Sequence, residues 1–338
     1  MMHELKKIVQ YYLQNQQKGQ RTVLASVVAL EGSSYRKPGV RMLLVEDGTS
    51  IGAVSGGCVE KEIFKQAASV FKSGIAKVMT YDGRYRLGCE GVLYILIEPF
   101  QPNELFLETF QKAIAKRIPF LIRSYYKKTH DEAIGYGSIF NFEESMLPLR
   151  SDFSVNEAMQ VFEQILKPCF KLIIIGAEHD AVELCSYASK TGWEVTIIAH
   201  PTENKSIIDF KGASAFTNAE PETLAIAVDE QVAIVVMTHS YAKDLQFLTR
   251  LKNYKPAYLG LLGPMRRREK LFNELLERNL DITEEFLESI HGPAGLDIGA
   301  ETPQEISISI ISEILAVVNK RKPILLKERE GRIHSHEV

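Results

Sequence analysis

The sequence predicts an α/β protein in which a mixed α/β N-terminal domain precedes a doubly wound, parallel-sheet domain. Two observations carry this expectation. From Lys171 onward, apolar runs of strand length alternate strictly with stretches of helical periodicity, the pattern of a parallel sheet covered on both faces. Upstream, the apolar runs are closely spaced and broken by short turns. The length of 338 residues, 45% apolar and 25% charged, suits two globular domains. The expected divisions are 1–150, 151–322 and a charged tail over 323–338.

In the first domain, Leu5, Ile8, Val9 and Tyr12 mark an amphipathic opening helix, and Thr22–Leu30 reads as a strand. Strands at Arg41–Val45 and Ile51–Val54 flank the turn Glu46-Asp47-Gly48. Val59, Ile63, Ala67 and Val70 then recur at helical spacing, which predicts a helix packed on the sheet. Val92–Ile97 reads as a buried strand, Glu104–Lys116 as a helix, and Phe120–Tyr125 and Ile134–Phe140 as strands. Met146–Asp152 reads as a linker, followed by a candidate helix over Val155–Leu166.

In the second domain, strands are expected at Lys171–Ile175, Glu194–Ile198, Val232–Met237 and Ala257–Leu261. Helices are expected at Ala181–Lys190, Ala242–Leu251, Arg266–Arg278 and Pro303–Val318. Thr302, Pro303 and Glu305 form a capping box before the last of these. This is a Rossmann-like order of elements.

The totals exclude several functional classes. Forty Lys plus Arg against 43 Asp plus Glu give a formal charge of −3, without the basic excess of a nucleic-acid-binding protein. No apolar run approaches the roughly 18 residues that span a bilayer. The N-terminus lacks a hydrophobic signal core, so a cytoplasmic location is expected. Cys58, Cys89, Cys169 and Cys185 are widely spaced, with no C-x-x-C pair and no zinc-like cluster. His334 and His336 in the tail read as solvated.

A dinucleotide fingerprint G-x-G-x-x-G should follow the first strand of the second domain. The segment there reads Gly176-Ala177-Glu178-His179-Asp180-Ala181. Gly176 is kept, but Glu178 replaces the glycine that lets a pyrophosphate approach, adding bulk and like charge. The second strand ends at Ala199-His200, where an acid would normally take the ribose hydroxyls. Both losses argue against NAD(P).

Three segments carry candidate chemistry. In Ser55-Gly56-Gly57-Cys58-Val59-Glu60, two glycines turn the chain so that Cys58 falls in the first turn of a helix. That position favours a thiolate, which suits a soft metal or sulfane sulfur, with Glu60 as a proton acceptor or relay. In Gly260-Leu261-Leu262-Gly263-Pro264-Met265-Arg266-Arg267-Arg268, three arginines crowd a helix start, where cations oppose the dipole unless an anion binds. The structural alternative is pairing with acids such as Glu269. Thr238-His239-Ser240 lies at the carboxyl end of a strand, which makes His239 a ligand-binding or acid–base candidate. The Gly-rich stretch from His291 to Glu301 is expected near the same crevice, and Cys89 is a further candidate.

Together these segments resemble the xanthine dehydrogenase accessory factor family, XdhC/CoxI. The resemblance rests on Glu31-Gly32-Ser33-Ser34-Tyr35-Arg36-Lys37-Pro38-Gly39, on Gly52 to Glu60, on Thr238-His239, on Gly260 to Arg267, and on Gly295 to Pro303. It implies a protein that binds molybdenum cofactor as cargo, assists its sulfuration and delivers it to a molybdenum hydroxylase such as apo-xanthine dehydrogenase. It further implies a cysteine desulfurase partner and a homodimer. Cys58 is then the metal ligand, and the cofactor phosphate suits Arg266 and Arg267. Glu178, Glu90 and His200 depart from the family pattern. Two other readings stand beside it: an NAD(P)-dependent oxidoreductase, against which the Gly176–Ala181 loop speaks, and a regulatory scaffold in which Cys58 and Arg267 are dispensable.

Overall fold

The computed structural model describes residues 1–32, 37–85, 91–156 and 158–328. The chain divides into two compact units, Met1–Pro168 and Cys169–Val338. The sequence-based boundary at 150 therefore moves downstream.

Unit 1 opens with α1 (Met2–Gln16), β1 (Thr22–Glu31), β2 (Arg41–Val45), β3 (Ser50–Gly52), α2 (Cys58–Ser73), β4 (Lys77–Asp82) and β5 (Val92–Pro99). It continues with α3 (Glu104–Ala115), β6 (Phe120–Tyr126), β7 (Asp131–Glu132), β8 (Gly137–Phe142), β9 (Ser145–Pro148) and β10 (Gln160–Leu166). One antiparallel sheet has the order β3-β2-β1-β5-β4-β7, and a second has β10-β6-β8-β9. Val59, Ile63, Ala67 and Val70 of α2 pack on Val23, Ala25, Val27, Leu44, Ile95 and Ile97 of the first sheet. The helical spacing in the sequence is thus the buried face of α2. Phe106 and Phe110 of α3 stack on each other and meet Phe120, Phe140 and Phe142 edge-on.

The helix expected over Val155–Leu166 is a correction. Residues 160–166 form β10, paired antiparallel with β6 along seven residue pairs. Its alternation was hidden because the inward face carries a polar residue and the outward face carries apolar ones. Gln164 is buried, whereas Val161 and Ile165 are 43% and 68% exposed. The Arg41 guanidinium makes the burial of Gln164 tolerable by donating to its Oε1 at 2.6 Å. The supposed linker at Met146–Asp152 likewise overlaps β9.

The two sheets of unit 1 are joined through a wholly buried carboxyl. Glu98 of β5 accepts from the Ser138 amide of β8 at 2.9 Å and from its hydroxyl at 2.6 Å. Burial, the strongest influence, raises the Glu98 carboxyl above its ordinary range, opposed by the Ser138 bonds and by Arg150 and Arg41.

Unit 2 contains β11 (Lys171–Ile175), α4 (His179–Lys190), β12 (Glu194–Ala199), β13 (Ala213–Asn218), β14 (Val232–Val236), α5 (Tyr241–Leu251) and β15 (Tyr258–Leu261). It ends with α6 (Met265–Arg278), α7 (Glu284–Glu288), β16 (Ile290–His291) and α8 (Pro303–Val318). The sheet runs β13-β12-β11-β14-β15-β16, and all its pairings are parallel. This is the doubly wound architecture expected from the sequence. Side chains of α5, α6 and α7 cover one face and those of α4 and α8 the other. Strand order reverses between β11 and β14, and the crevice lies at their carboxyl ends. Thr302 and Glu305 form the expected capping box on α8.

A group whose pKa is higher folded than unfolded contributes stability below the unfolded value, and that contribution is lost as pH rises through the folded value. Glu98 is such a group. Gln can keep both Ser138 contacts, because the hydroxyl hydrogen turns to Ser124, 2.8 Å away. Glu98→Gln is expected to gain about 1 kcal/mol on the native protein as pH rises above the ordinary carboxyl range towards neutral. Urea midpoints followed by far-ultraviolet circular dichroism measure this; a pH-independent difference would contradict it.

Candidate functional site

The expected site residues fall into two groups, one in each unit. In unit 1, the chain leaves β3 and turns through Val54–Gly57 into α2, whose first residue is Cys58. Gly56 takes φ +107, a conformation that side chains other than glycine rarely adopt. Glu60, in the first turn of α2, reaches back over the turn. Its Oε1 accepts from the amides of Val54, Ser55 and Gly56 at 3.0, 2.6 and 2.7 Å, and its Oε2 from Gly57 at 2.6 Å.

This geometry corrects the proton-relay reading of Glu60. Burial alone would raise its carboxyl, but the amides of Ser55, Gly57 and Gly56 outweigh burial and hold it at about 2. Such a group stays ionised at neutral pH and carries no proton there. Its work is to fix the turn that starts the helix at Cys58. The Cys58 side chain lies outside the described residues, as do Ser33–Arg36, Arg86–Glu90 with Cys89 and Glu90, and the tail histidines. Cys169 and Cys185 are buried, and burial pushes the Cys185 thiol up to about 11. Among the described residues, no group of three or more His, Cys, Asp or Glu is placed to hold a metal.

In unit 2, Gly176 has φ +136, and a Cβ there would lie 2.3 Å from the Met237 carbonyl oxygen. The first glycine of the fingerprint is therefore required by the close approach of β11 and β14, whatever the ligand. Glu178 is the N-cap of α4, exposed, with φ −75, and its side chain accepts none of the helix amides. Nothing in the backbone demands a glycine at this position, so Glu178 leaves the fold intact. His200 is tied locally to Thr202, 2.8 Å from its Nδ1.

His239 has a left-handed backbone, φ 56, and its Nε2 lies 2.9 Å from Oδ2 of Asp180 in the first turn of α4. Beside it, Asp244 is 1% exposed and gathers three donors. The Thr238 hydroxyl and amide donate to Oδ1 at 2.6 and 3.2 Å, and Arg267 Nη2 donates to Oδ2 at 2.6 Å. The reading of Arg267 as a free anion fork is thereby corrected: its guanidinium neutralises a buried carboxylate and lies over the Tyr241 ring, 5.8 Å from the centroid. Gly263 leaves room for it, since a Cβ would stand 2.9 Å from Arg267 Cδ. Arg268 lies over Phe272 at 4.7 Å. Arg266 alone of the three is exposed and without an ion-pair partner among the described residues.

The Gly-rich loop after β16 is anchored from beneath by Glu313 of α8. That carboxylate accepts from Tyr258 Oη at 2.5 Å and the Gly295 amide at 2.7 Å, with His291 Nδ1 2.9 Å away. Burial would raise Glu313, yet the bonds from His291, Tyr258 and Gly295 hold it below its ordinary range. Sequence reasoning missed Asp180, Asp244 and Glu313. The available signal was an acid set directly against apolar residues, as in Asp244-Leu245 and Glu313-Ile314.

Fold and site define a two-unit protein whose second unit is a Rossmann-type domain with Glu178 and His200 at two positions of the usual dinucleotide fingerprint. Residues 172–314 match the XdhC Rossmann domain, and residues 16–82 match the XdhC and CoxI family. The chain belongs to this family. A Bacillus subtilis (strain 168) protein named as a probable xanthine dehydrogenase subunit is 27% identical, covering 88% of this chain and 93% of that one. The molybdenum cofactor insertion chaperone PaoD of Escherichia coli (strain K12) is 24% identical, over 92% of this chain and 87% of its own. A crystal structure of a Bacillus halodurans protein described as a xanthine dehydrogenase shares the fold, with a TM-score of 0.75, 24% identity, and coverage of 92% and 96%. No helix among the described residues is long and apolar enough to cross a membrane.

The depressed Glu60 carboxyl contributes stability above its unfolded pKa, and this is lost as pH falls from about 4.5 towards 2. Allowing for solvent screening at this partly exposed group, Glu60→Ala is expected to cost about 1–2 kcal/mol at neutral pH and progressively less in acid. Denaturant titrations across that range measure the effect; an equal loss at every pH would contradict the clamp.

Proposed function

We propose that this protein binds molybdenum cofactor as cargo and assists its sulfuration and insertion into a xanthine dehydrogenase-type molybdenum hydroxylase. The observation that carries the reading is the turn in unit 1. A carboxylate gathers four amides, fixes two glycines and sets Cys58 at the start of a helix. A thiolate there ligates molybdenum or accepts sulfane sulfur from a donor persulfide. The relatives' names, molybdenum cofactor insertion chaperone and probable xanthine dehydrogenase subunit, support the same reading.

In this account Gly56 and Gly57 give cargo close access to the turn, and Glu60 holds it. In unit 2, Arg266 beside Gly263 offers a free guanidinium to the cofactor phosphate. His239 offers an imidazole at the crevice, and Gly176 maintains the crevice floor. The partners are the apo-hydroxylase and a cysteine desulfurase, and the working form is a cytoplasmic homodimer. The protein acts by binding and delivery, with no turnover of its own. NAD(P) has no place in it, since Glu178 and His200 stand where its contacts would be.

The test is purification without oxygen from cells that make the cofactor, followed by molybdenum and pterin determination. Near-stoichiometric amounts per chain are expected, lost in Cys58→Ala and reduced in Arg266→Ala while both variants stay folded. Absence of both, together with saturable stabilisation by NAD, would replace this reading with the oxidoreductase.

A further inference from the structure

We propose that unit 1 binds one small monovalent anion, chloride, between its two sheets, held by Arg41 Nη2 and Ser26 Oγ. The site lies in the interior of unit 1 and is independent of the cargo reading.

Arg41 opens β2, and Ser26 stands directly opposite it on β1. Residues opposed in this way carry their side chains on the same face of the sheet, with Cβ atoms about 5 Å apart. That face is turned towards β10. Arg41 Nη1 donates to Gln164 Oε1 at 2.6 Å, and Phe162 packs on the cluster that holds Val28 and Leu96. Arg41 is 6% exposed and Ser26 2%. Each ends in a buried polar atom without a hydrogen-bond partner among the described residues, Nη2 of the guanidinium and Oγ of the serine. Buried polar groups are almost always satisfied, so two orphans on paired residues point to a ligand between them.

Charge decides which ligand belongs there. The acceptors that Arg41 does reach are neutral, the Gly39 carbonyl oxygen at 2.8 Å and Gln164 Oε1, and both are taken by Nη1. Burial lowers the guanidinium to about 10, against the opposing influence of Glu98 and Glu4 through space, so it stays cationic at neutral pH. Glu98 is itself raised by burial, which weakens it as a counter-ion.

Gln164 is not free to serve Nη2. Its amide lies over Gly39, where a Cβ would stand 2.2 Å from Nε2, and Nε2 points to Met1 Sδ at 3.0 Å. What remains is one buried positive charge, one free N–H and one hydroxyl able to donate. A water molecule would satisfy both groups and leave the charge uncompensated, which is costly in a dry interior. A divalent oxyanion would overcompensate it and bring more acceptors than there are donors. A halide carries one charge and accepts from any direction, so it matches both counts. Bound there, it adds to the link that Arg41 and Gln164 make between the sheets.

Thermal unfolding of the full chain tests the proposal, with chloride replacing gluconate at constant ionic strength. The melting temperature is expected to rise saturably with chloride, and bromide is expected to substitute for it. Ser26→Ala removes one donor with little change in volume and is expected to raise the half-saturating chloride concentration roughly tenfold. Arg41→Met combined with Gln164→Met removes both polar partners together and is expected to abolish the response. Equal melting temperatures in chloride and gluconate would overturn the proposal and leave water as the bridge. A half-saturating concentration unchanged in Ser26→Ala would put the ion elsewhere and overturn it too.

Discussion

The shape of the crevice in unit 2 depends on one carboxylate taken almost wholly out of water. An ionised acid buried at the position of Asp244 would be costly alone, and it is tolerated because every approach to it is filled by a donor. The three donors come from two different elements. Thr238 brings the loop after β14, and Arg267 brings the first turn of α6. Asp244 itself stands in the first turn of α5. Three segments that meet at the carboxyl end of a parallel sheet are thus held by one ion, and His239 and Arg266 inherit their places as direct neighbours of two of its partners. The same constraint explains why three arginines can stand at one helix start. One is a counter-ion, one is packed on an aromatic ring, and one is left exposed.

The logic recurs in unit 1 with a different outcome for the proton. Glu60 meets four amides, which favour the charged form strongly enough to overcome burial. Glu98 meets only two donors and is completely shielded, so burial prevails and its carboxyl is raised. Two acids on the same polypeptide therefore respond to pH in opposite directions. Donor count against desolvation decides the sign. At Glu60 the result is a rigid entry to α2, and at Glu98 a polar link between two sheets that Arg41 and Gln164 also join.

Periodicity made most of the architecture legible, because long amphipathic faces report directly on burial. The stripe of Val59, Ile63, Ala67 and Val70 and the alternation beyond Lys171 are of this kind. β10 was not legible, since its inward Gln164 is satisfied by Arg41, a residue 123 positions away, and its outward Val161 and Ile165 invert the usual pattern. The same limit applies to the site. The glycines, the displaced fingerprint and the arginine turn are local signals and could be read. That Arg267 belongs to Asp244, His239 to Asp180, and Glu60 to the amides before it are facts of pairing, and pairing is set by the fold. Sequence reading therefore found where the chemistry could sit and overestimated how many of those side chains were free.

The claim that Asp244 and Arg267 act as one unit is most directly tested by a double-mutant cycle. Asp244→Asn, Arg267→Met and the pair would be unfolded in urea, with fluorescence of Trp193 reporting on unit 2, since the chain has a single tryptophan. The account predicts that the two losses are far from additive, with a coupling of about 1.5–3 kcal/mol, because removing Arg267 strands Asp244 in a dry site. Additive losses, with a coupling near zero, would contradict it and leave the geometry of the crevice without its organising interaction.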